Sequence, residues 1–149
     1  MPARATISIR RMAAEDLPSV QQLLSQLGYD VRATEVERRY LAVTRAEAHL
    51  ALVAERNVRV AAFLHVFGRP AFEKAPEAVV QALVVDLAYR GEGIGKTLMA
   101  AAEAWALERD FASVALSSSV SRIEAHAFYR ALGYQRKATS LLLRKQLQS

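Results

Sequence analysis

The chain has 149 residues, of which 52% are hydrophobic, 23% charged and 7% aromatic; this fits a single domain over residues 1–149 with enough chain to bury a core, and argues against two full domains. Twenty Lys plus Arg against fifteen Asp plus Glu leave a net charge of +5, which favours a polyanionic partner without choosing between nucleic acid, membrane and nucleotide. The lack of cysteine excludes disulfides, Cys-bearing zinc sites and thiol nucleophiles; no stretch approaches the roughly 20 apolar residues of a membrane span and the N-terminus has no apolar signal core, so a cytoplasmic location with no membrane partner is expected.

Thr6 to Arg11 alternates Ile7 and Ile9 with polar neighbours, the period of a half-buried strand. From Glu15 to Leu27, Leu17, Val20, Leu24 and Leu27 recur at helical spacing, with Pro18 in the first turn and Gly28 as a stop. Thr34 and Glu37 have the spacing of a capping box for a second helix through Thr44, its stripe formed by Val36, Tyr40 and Val43. His49 to Glu55 and Val58 to Phe67 alternate about a turn at Arg56-Asn57 and read as a hairpin. Gly68 to Glu77 breaks all periodicity and is long for a connection; a substrate-facing loop and a solvated linker both fit it.

Val79 to Asp86 is nearly continuous apolar sequence, as in a central strand covered on both faces. A helix then carries Ile94, Leu98, Ala101 and Trp105 on one face as far as Arg109. Ser113 to Ser117 reads as a short strand, Ile123 to Leu132 as a short helix closed by Gly133, and Tyr134 to Lys145 as two strands or one bent pair. The order β-α-α-β-β-β-α-β-α-β-β describes an α/β fold, a mixed sheet of six to seven strands flanked by about four helices.

Between the central strand and its helix lies Arg90-Gly91-Glu92-Gly93-Ile94-Gly95-Lys96-Thr97, where free backbone N–H groups and the helix dipole make an anion site. A Walker A loop requires glycine where Arg90 stands, and a Rossmann fingerprint begun at Gly91 meets Lys96 where its third glycine belongs. Arg-x-x-Gly-x-Gly, read from Arg90 through Gly93 to Gly95, fits without exception.

With that motif, the segment Leu83-Val84-Val85-Asp86-Leu87-Ala88-Tyr89-Arg90-Gly91 and the later Ala125-His126-Ala127-Phe128-Tyr129-Arg130-Ala131-Leu132-Gly133-Tyr134, the chain resembles the GNAT superfamily of acetyl-CoA-dependent N-acetyltransferases. The motifs lie within Leu83 to Tyr134; the N-terminal half resembles the family by element pattern alone. The resemblance implies acetyl-CoA as cosubstrate. Its pyrophosphate would take amides from Gly91, Glu92, Gly93, Ile94, Gly95 and Lys96, with Arg90 and Lys96 as cations and the Glu92 side chain directed outward. Its pantetheine arm would pair along Leu83, Val84 and Val85, with the Leu83 amide facing the developing oxyanion.

The resemblance also places Tyr129 as the acid that protonates the departing thiolate, for which a phenol of pKa around 10 is matched. Tyr134 reads as a core aromatic. Gln81 stands where many relatives carry a Glu base; glutamine can hold a water but cannot take a proton, and His65, Glu73 and Asp86 are the other candidates. Arg122 occupies the position of a frequent cofactor-contacting Asn, where it either meets a phosphate or solvates a helix start. The scattered His49, His65 and His126 propose no metal site.

The implied function is transfer of acetyl from acetyl-CoA to a primary amine, on a small molecule or a peptide, by direct attack in a ternary complex. A catalytically silent acyl-CoA-binding module is the alternative. A nucleic-acid-binding domain is disfavoured because the Lys and Arg are dispersed and no helix-turn-helix, zinc or aromatic RNA-binding pattern is present. Relatives often dimerise through their C-terminal strands, so a homodimer is implied by the resemblance alone.

Overall fold

The structure, a computed structural model, describes residues 6–148. Its contacts form two compact units, one ending at Ser117 and one beginning at Ser118. The first holds a sheet in the order β1-β2-β3-β4-β5, built from β1 (Ile7–Arg11), β2 (His49–Arg56), β3 (Arg59–Arg69), β4 (Glu77–Val85) and β5 (Val114–Ala115). The first three pairings are antiparallel and β4 runs parallel to β5.

Alternation along the strands divides the core in two. On one face, Val53, Phe63 and Val84 pack with Val20 and Leu23 of α1 (Leu17–Gln26) and Val36 of α2 (Ala33–Arg45). On the other, the strands bury Leu52, Ala54, Ala62, Leu64 and Val66, and α3 (Ile94–Glu108) buries Ile94, Leu98, Met99, Ala102, Trp105 and Ala106. The α3 stripe differs from the expected Ile94, Leu98, Ala101 and Trp105: Met99, Ala102 and Ala106 are buried as well, whereas Ala101 is only half-buried.

Several boundaries differ from the sequence reading. The first helix opens with a 3-10 turn at Ala14–Asp16, and Leu27 lies past its end and is exposed. The Thr34–Glu37 capping box does not form: α2 begins at Ala33 behind Arg32, so Thr34 is already inside the first turn. The hairpin turns at Asn57 and Val58, both left-handed, and not at Arg56. The bend at residues 70–76 is clasped by Glu77, which accepts from Arg69 (2.6 Å), Lys74 (2.9 Å) and Ser113 (3.1 Å); the two cations hold its carboxyl near a pKa of about 2. At Gly68 a Cβ would stand 2.2 Å from the ring of Phe111, so β3 admits no side chain there.

The strand expected over Ser113 to Ser117 is reduced to two paired residues, Val114 and Ala115, opposite Ala78 and Val79. Just beyond Val79, β4 carries a bulge: His65 pairs with Ala82 but Val66 with Val80, leaving Gln81 as the extra residue. Bulges bend and twist a strand, which carries β4 off the line of β5.

The second unit contains α4 (Ile123–Ala131), which ends as expected before a left-handed Gly133. Residues 135–148 hold no strand, so the described sheet has five strands and not six to seven. Leu141, Leu142, Leu143 and Leu147 are 80–85% exposed. Consecutive leucines give a strand no polar face, and the basic Arg136, Lys137, Arg144 and Lys145 around them resist burial.

Candidate active site

The site begins with the direction of backbone amides along β4. Ala78 N–H donates to Ser113 O (2.9 Å), toward β5, whereas Asp86 N–H donates to Ala61 O (2.8 Å), toward β3. Residues of equal parity point the same way in a regular strand, so one reversal lies between them, and the bulge at Gln81 supplies it. After the bulge, Val84 N–H faces β3, and the N–H groups of Leu83 and Val85 face the side where β5 no longer pairs. The side chains of Leu83 and Val85, half-buried, lie opposite Leu64 and Ala62 on the α3 face.

Gln81 is exposed at the bulge. The regular alternation that would put it on the face of Leu83 and Val85 is interrupted there.

Beyond Val85, Asp86 caps the short 3-10 turn Leu87–Tyr89 by accepting from Ala88 N–H (2.9 Å). Gln26, at the end of α1, uses both ends of its amide on this segment: its carbonyl accepts from Leu87 N–H (3.0 Å) and its NH2 donates to Asp86 (3.3 Å). Both hydrogen bonds fall on Asp86 Oδ1. Arg90 folds its Nε back to Val85 O (3.4 Å).

Gly91 and Gly93 have φ of +84° and +83°, a region that costs other residues roughly 1–2 kcal/mol. No neighbouring atom lies within 4 Å of a Cβ built at either; a side chain would instead occupy open space above the turn. Gly93 is the N-cap of α3 without a side-chain cap, and the first intrahelical bond runs from Thr97 N–H to Gly93 O (3.0 Å). The amides of Ile94, Gly95 and Lys96 precede that bond and, with the helix dipole, form an anion-binding end. Lys96 is exposed beside them. Glu92 forms an ion pair with Arg56 (2.6 Å).

The sequence reading passed over Gln26 and Arg56. Both lie far from the turn in the chain and carry no local motif, so only the pairing of β2 and the end of α1 with the turn reveals them.

On the α1/α2 face of the sheet, His49 Nδ1 and His65 Nε2 are 3.0 Å apart, and the His49 ring stacks between His65 and Phe67. Burial first, and the neighbouring His49 second, lower the His65 pKa to about 4. Glu73, the remaining base candidate, is exposed on the 70–76 bend. An open cleft between α1 and α2 is lined by Leu17, Pro18, Gln21, Glu37, Tyr40 and Leu41.

In the second unit, the Tyr129 ring meets Phe128 and Tyr134 edge to face, with centroids 5.0 and 5.9 Å apart. Burial raises its phenol pKa, and the positive charge of Arg122 works in the opposite direction. Arg122 is exposed at the N-cap of α4 and its carbonyl accepts from His126 N–H (3.1 Å). Ser118 Oγ is buried without a hydrogen-bond partner. Among the described residues no group of three or more His, Cys, Asp or Glu side chains could hold a metal ion, and no helix is long and apolar enough to cross a membrane.

A family model described as the acetyltransferase (GNAT) family matches residues 17–134. An uncharacterized N-acetyltransferase of Bacillus subtilis (strain 168), YhdJ, is 27% identical over 116 residues, 78% of this chain and 79% of that protein. Aminoglycoside N(6′)-acetyltransferase type 1 of Stenotrophomonas maltophilia is 29% identical over 76 residues, about half of each chain (51% and 50%). Among solved structures, that of aminoglycoside N-acetyltransferase AAC(6′)-Iy in complex with CoA superposes with a TM-score of 0.88 over 98% of this chain and 99% of the other, at 19% identity, which is a likeness of fold.

Proposed function

The chain belongs to the acetyltransferase (GNAT) family, acetyl-CoA-dependent N-acetyltransferases, and from that membership we propose that it moves the acetyl group of acetyl-CoA to a primary amine by direct attack within one ternary complex. One observation carries the assignment of the cosubstrate site. The amides of Leu83 and Val85 face an unpaired strand edge, and the same strand leads into the left-handed Gly91 and Gly93 and the bare N-terminus of α3. An extended amide-bearing arm followed by a pyrophosphate matches that sequence of strand edge and anion site.

In this reading Leu83, Val84 and Val85 hold the pantetheine arm as a strand neighbour, and the Leu83 N–H stabilises negative charge developing on the thioester oxygen. Gly91 to Lys96 bind the pyrophosphate, with Arg90, Lys96 and Arg122 as phosphate cations. Tyr129 gives its proton to the departing thiolate; its raised pKa keeps the phenol protonated until that moment. Gln81 holds a water that relays the amine's proton to solvent, since glutamine is no base. Both compact units are proposed to act as one domain, because the family match runs from residue 17 to 134 across their boundary. The acceptor is proposed to be a small-molecule amine, in line with the aminoglycoside acetyltransferases among the similar proteins.

Calorimetric titration of CoA into the wild type and Gly93→Val tests the site. The wild type is expected to bind and the variant, still folded, to bind at least tenfold more weakly, because a β-branched residue resists φ of +83° and fills the space above the turn. Equal affinity would remove the cosubstrate from this turn. For the chemistry, Tyr129→Phe keeps the ring packing, and kcat is expected to fall on the order of a hundredfold with CoA affinity unchanged.

A further inference from the structure

We propose that Arg56 is a positioning residue that masks the negative charge of Glu92 and so makes the glycine turn fit for phosphate. The proposal rests on the reading of that turn as the site of the CoA phosphates.

Glu92 is the one acidic residue inside Arg90 to Lys96, set between two glycines whose left-handed backbone opens the turn. A carboxylate there opposes the anion that the α3 dipole and the Ile94 to Lys96 amides attract. Arg56 closes β2 on the neighbouring hairpin, and its Nε lies 2.6 Å from Glu92 Oε1. The same guanidinium lies over the Tyr89 ring, 4.7 Å from its centroid. It is thus held from both sides of the Arg90-Gly91 step, by an ion pair on one side and a cation–π contact on the other.

The two charged side chains are 27% and 32% exposed, so the pair is only partly screened by water. Paired, Glu92 is drawn to the hairpin and its charge is offset where the phosphates would feel it. Arg90 and Lys96 are then left as the unopposed cations of the turn. Without Arg56 the carboxylate is uncovered and free to swing over the amides.

CoA is titrated into the wild type, Arg56→Ala, Glu92→Gln, the double variant Arg56→Ala/Glu92→Gln, and Arg59→Ala, which removes a like charge from the same hairpin. Arg56→Ala is expected to raise Kd about tenfold at low salt, and the loss is expected to shrink toward 1 M salt, where charges more than roughly 3 Å apart are screened. The double variant is expected to return to within about threefold of the wild type and Glu92→Gln alone to bind as well or better, since the charge that needs masking is gone. Turnover of acetyl-pantetheine, which lacks the phosphates, is expected to be the same in wild type and Arg56→Ala; a general loss of structure would lower it.

Wild-type affinity in Arg56→Ala would overturn the proposal. So would a double variant as weak as Arg56→Ala, because Arg56 would then be contacting the ligand itself, and so would an equal loss in Arg59→Ala. A wild type that fails to bind CoA at all would instead overturn the assignment of the turn, and the masking role with it.

Discussion

Strand β4 has two edges that serve different ends. Along β3 it is paired from Glu77 opposite Arg69 to Val85 opposite Ala62; along β5 only Ala78 and Val79 have partners. The amides used on the first edge hold the sheet together, and those left on the second are the ones proposed to meet a ligand. One extra residue, Gln81, separates the two uses by reversing which amides face which side. A strand can therefore be structural and chemical at once, provided that alternate backbone groups are kept apart.

Proline substitutions break this comparison most sharply, because they delete one amide donor at a chosen edge. Val84→Pro removes a donor directed at β3 inside the ladder and is expected to cost about 3 kcal/mol or more, read as a large drop in the thermal midpoint. Val85→Pro removes a donor directed at the open edge, where strands tolerate proline. The fold is expected to survive, with acetyl-CoA kcat/KM lower by about tenfold, as when one hydrogen bond to the pantetheine arm is lost. Equal thermal losses in the two variants would mean that the edges do not divide the work.

On the paired side, His65 gives a pH test. Its pKa is lowered from 6.5 to about 4, so on acidification the unfolded chain takes the proton first. Stability is complete above about pH 6.5 and is expected to fall by roughly 1–3 kcal/mol as pH drops toward 4. Chemical denaturation at several pH values should show that slope, and His65→Leu should flatten it; an unchanged slope would remove His65 as its cause.

The smallest effect is expected at the bulge itself. Gln81→Glu places a carboxylate where the two edges meet, exposed and therefore cheap to charge. Measured with the best amine of a panel, kcat/KM is expected to rise a few-fold below the acceptor's pKa and to be unchanged above it. Loss at every pH would make Gln81 a residue that hydrogen-bonds the acceptor.

Elements with strong periodicity were legible from sequence: both helices flanking the first loop, the β2–β3 hairpin, β4 and α3 appear in the expected order. The glycine turn was legible because left-handed backbone leaves a compositional mark. The single-residue bulge was not, since Val-Val-Gln-Ala-Leu-Val-Val gives no sign of which residue is extra. Arg56 and Gln26 escaped for a related reason: their partners are 36 and 60–61 residues away, and a charge or an amide at a strand or helix end reads as surface. The expected C-terminal strands failed where apolar content outweighed alternation, at Leu141-Leu142-Leu143.

Gly68 and Phe111 act on β3 as a notch and a peg. The ring occupies the place of the missing Cβ, and it is held there against Trp105, 5.7 Å away at the end of α3. Sliding β3 by one residue would drive Phe67 or Arg69 into the ring, so the strand has a single seat. That seat sets where Val66 and His65 meet β4, and thus where the parity of its amides reverses. A glycine with no chemistry of its own thereby indexes the backbone proposed to do the chemistry, and an insertion or deletion between Gly68 and Gln81 would mistime the reversal while leaving every proposed site residue in place.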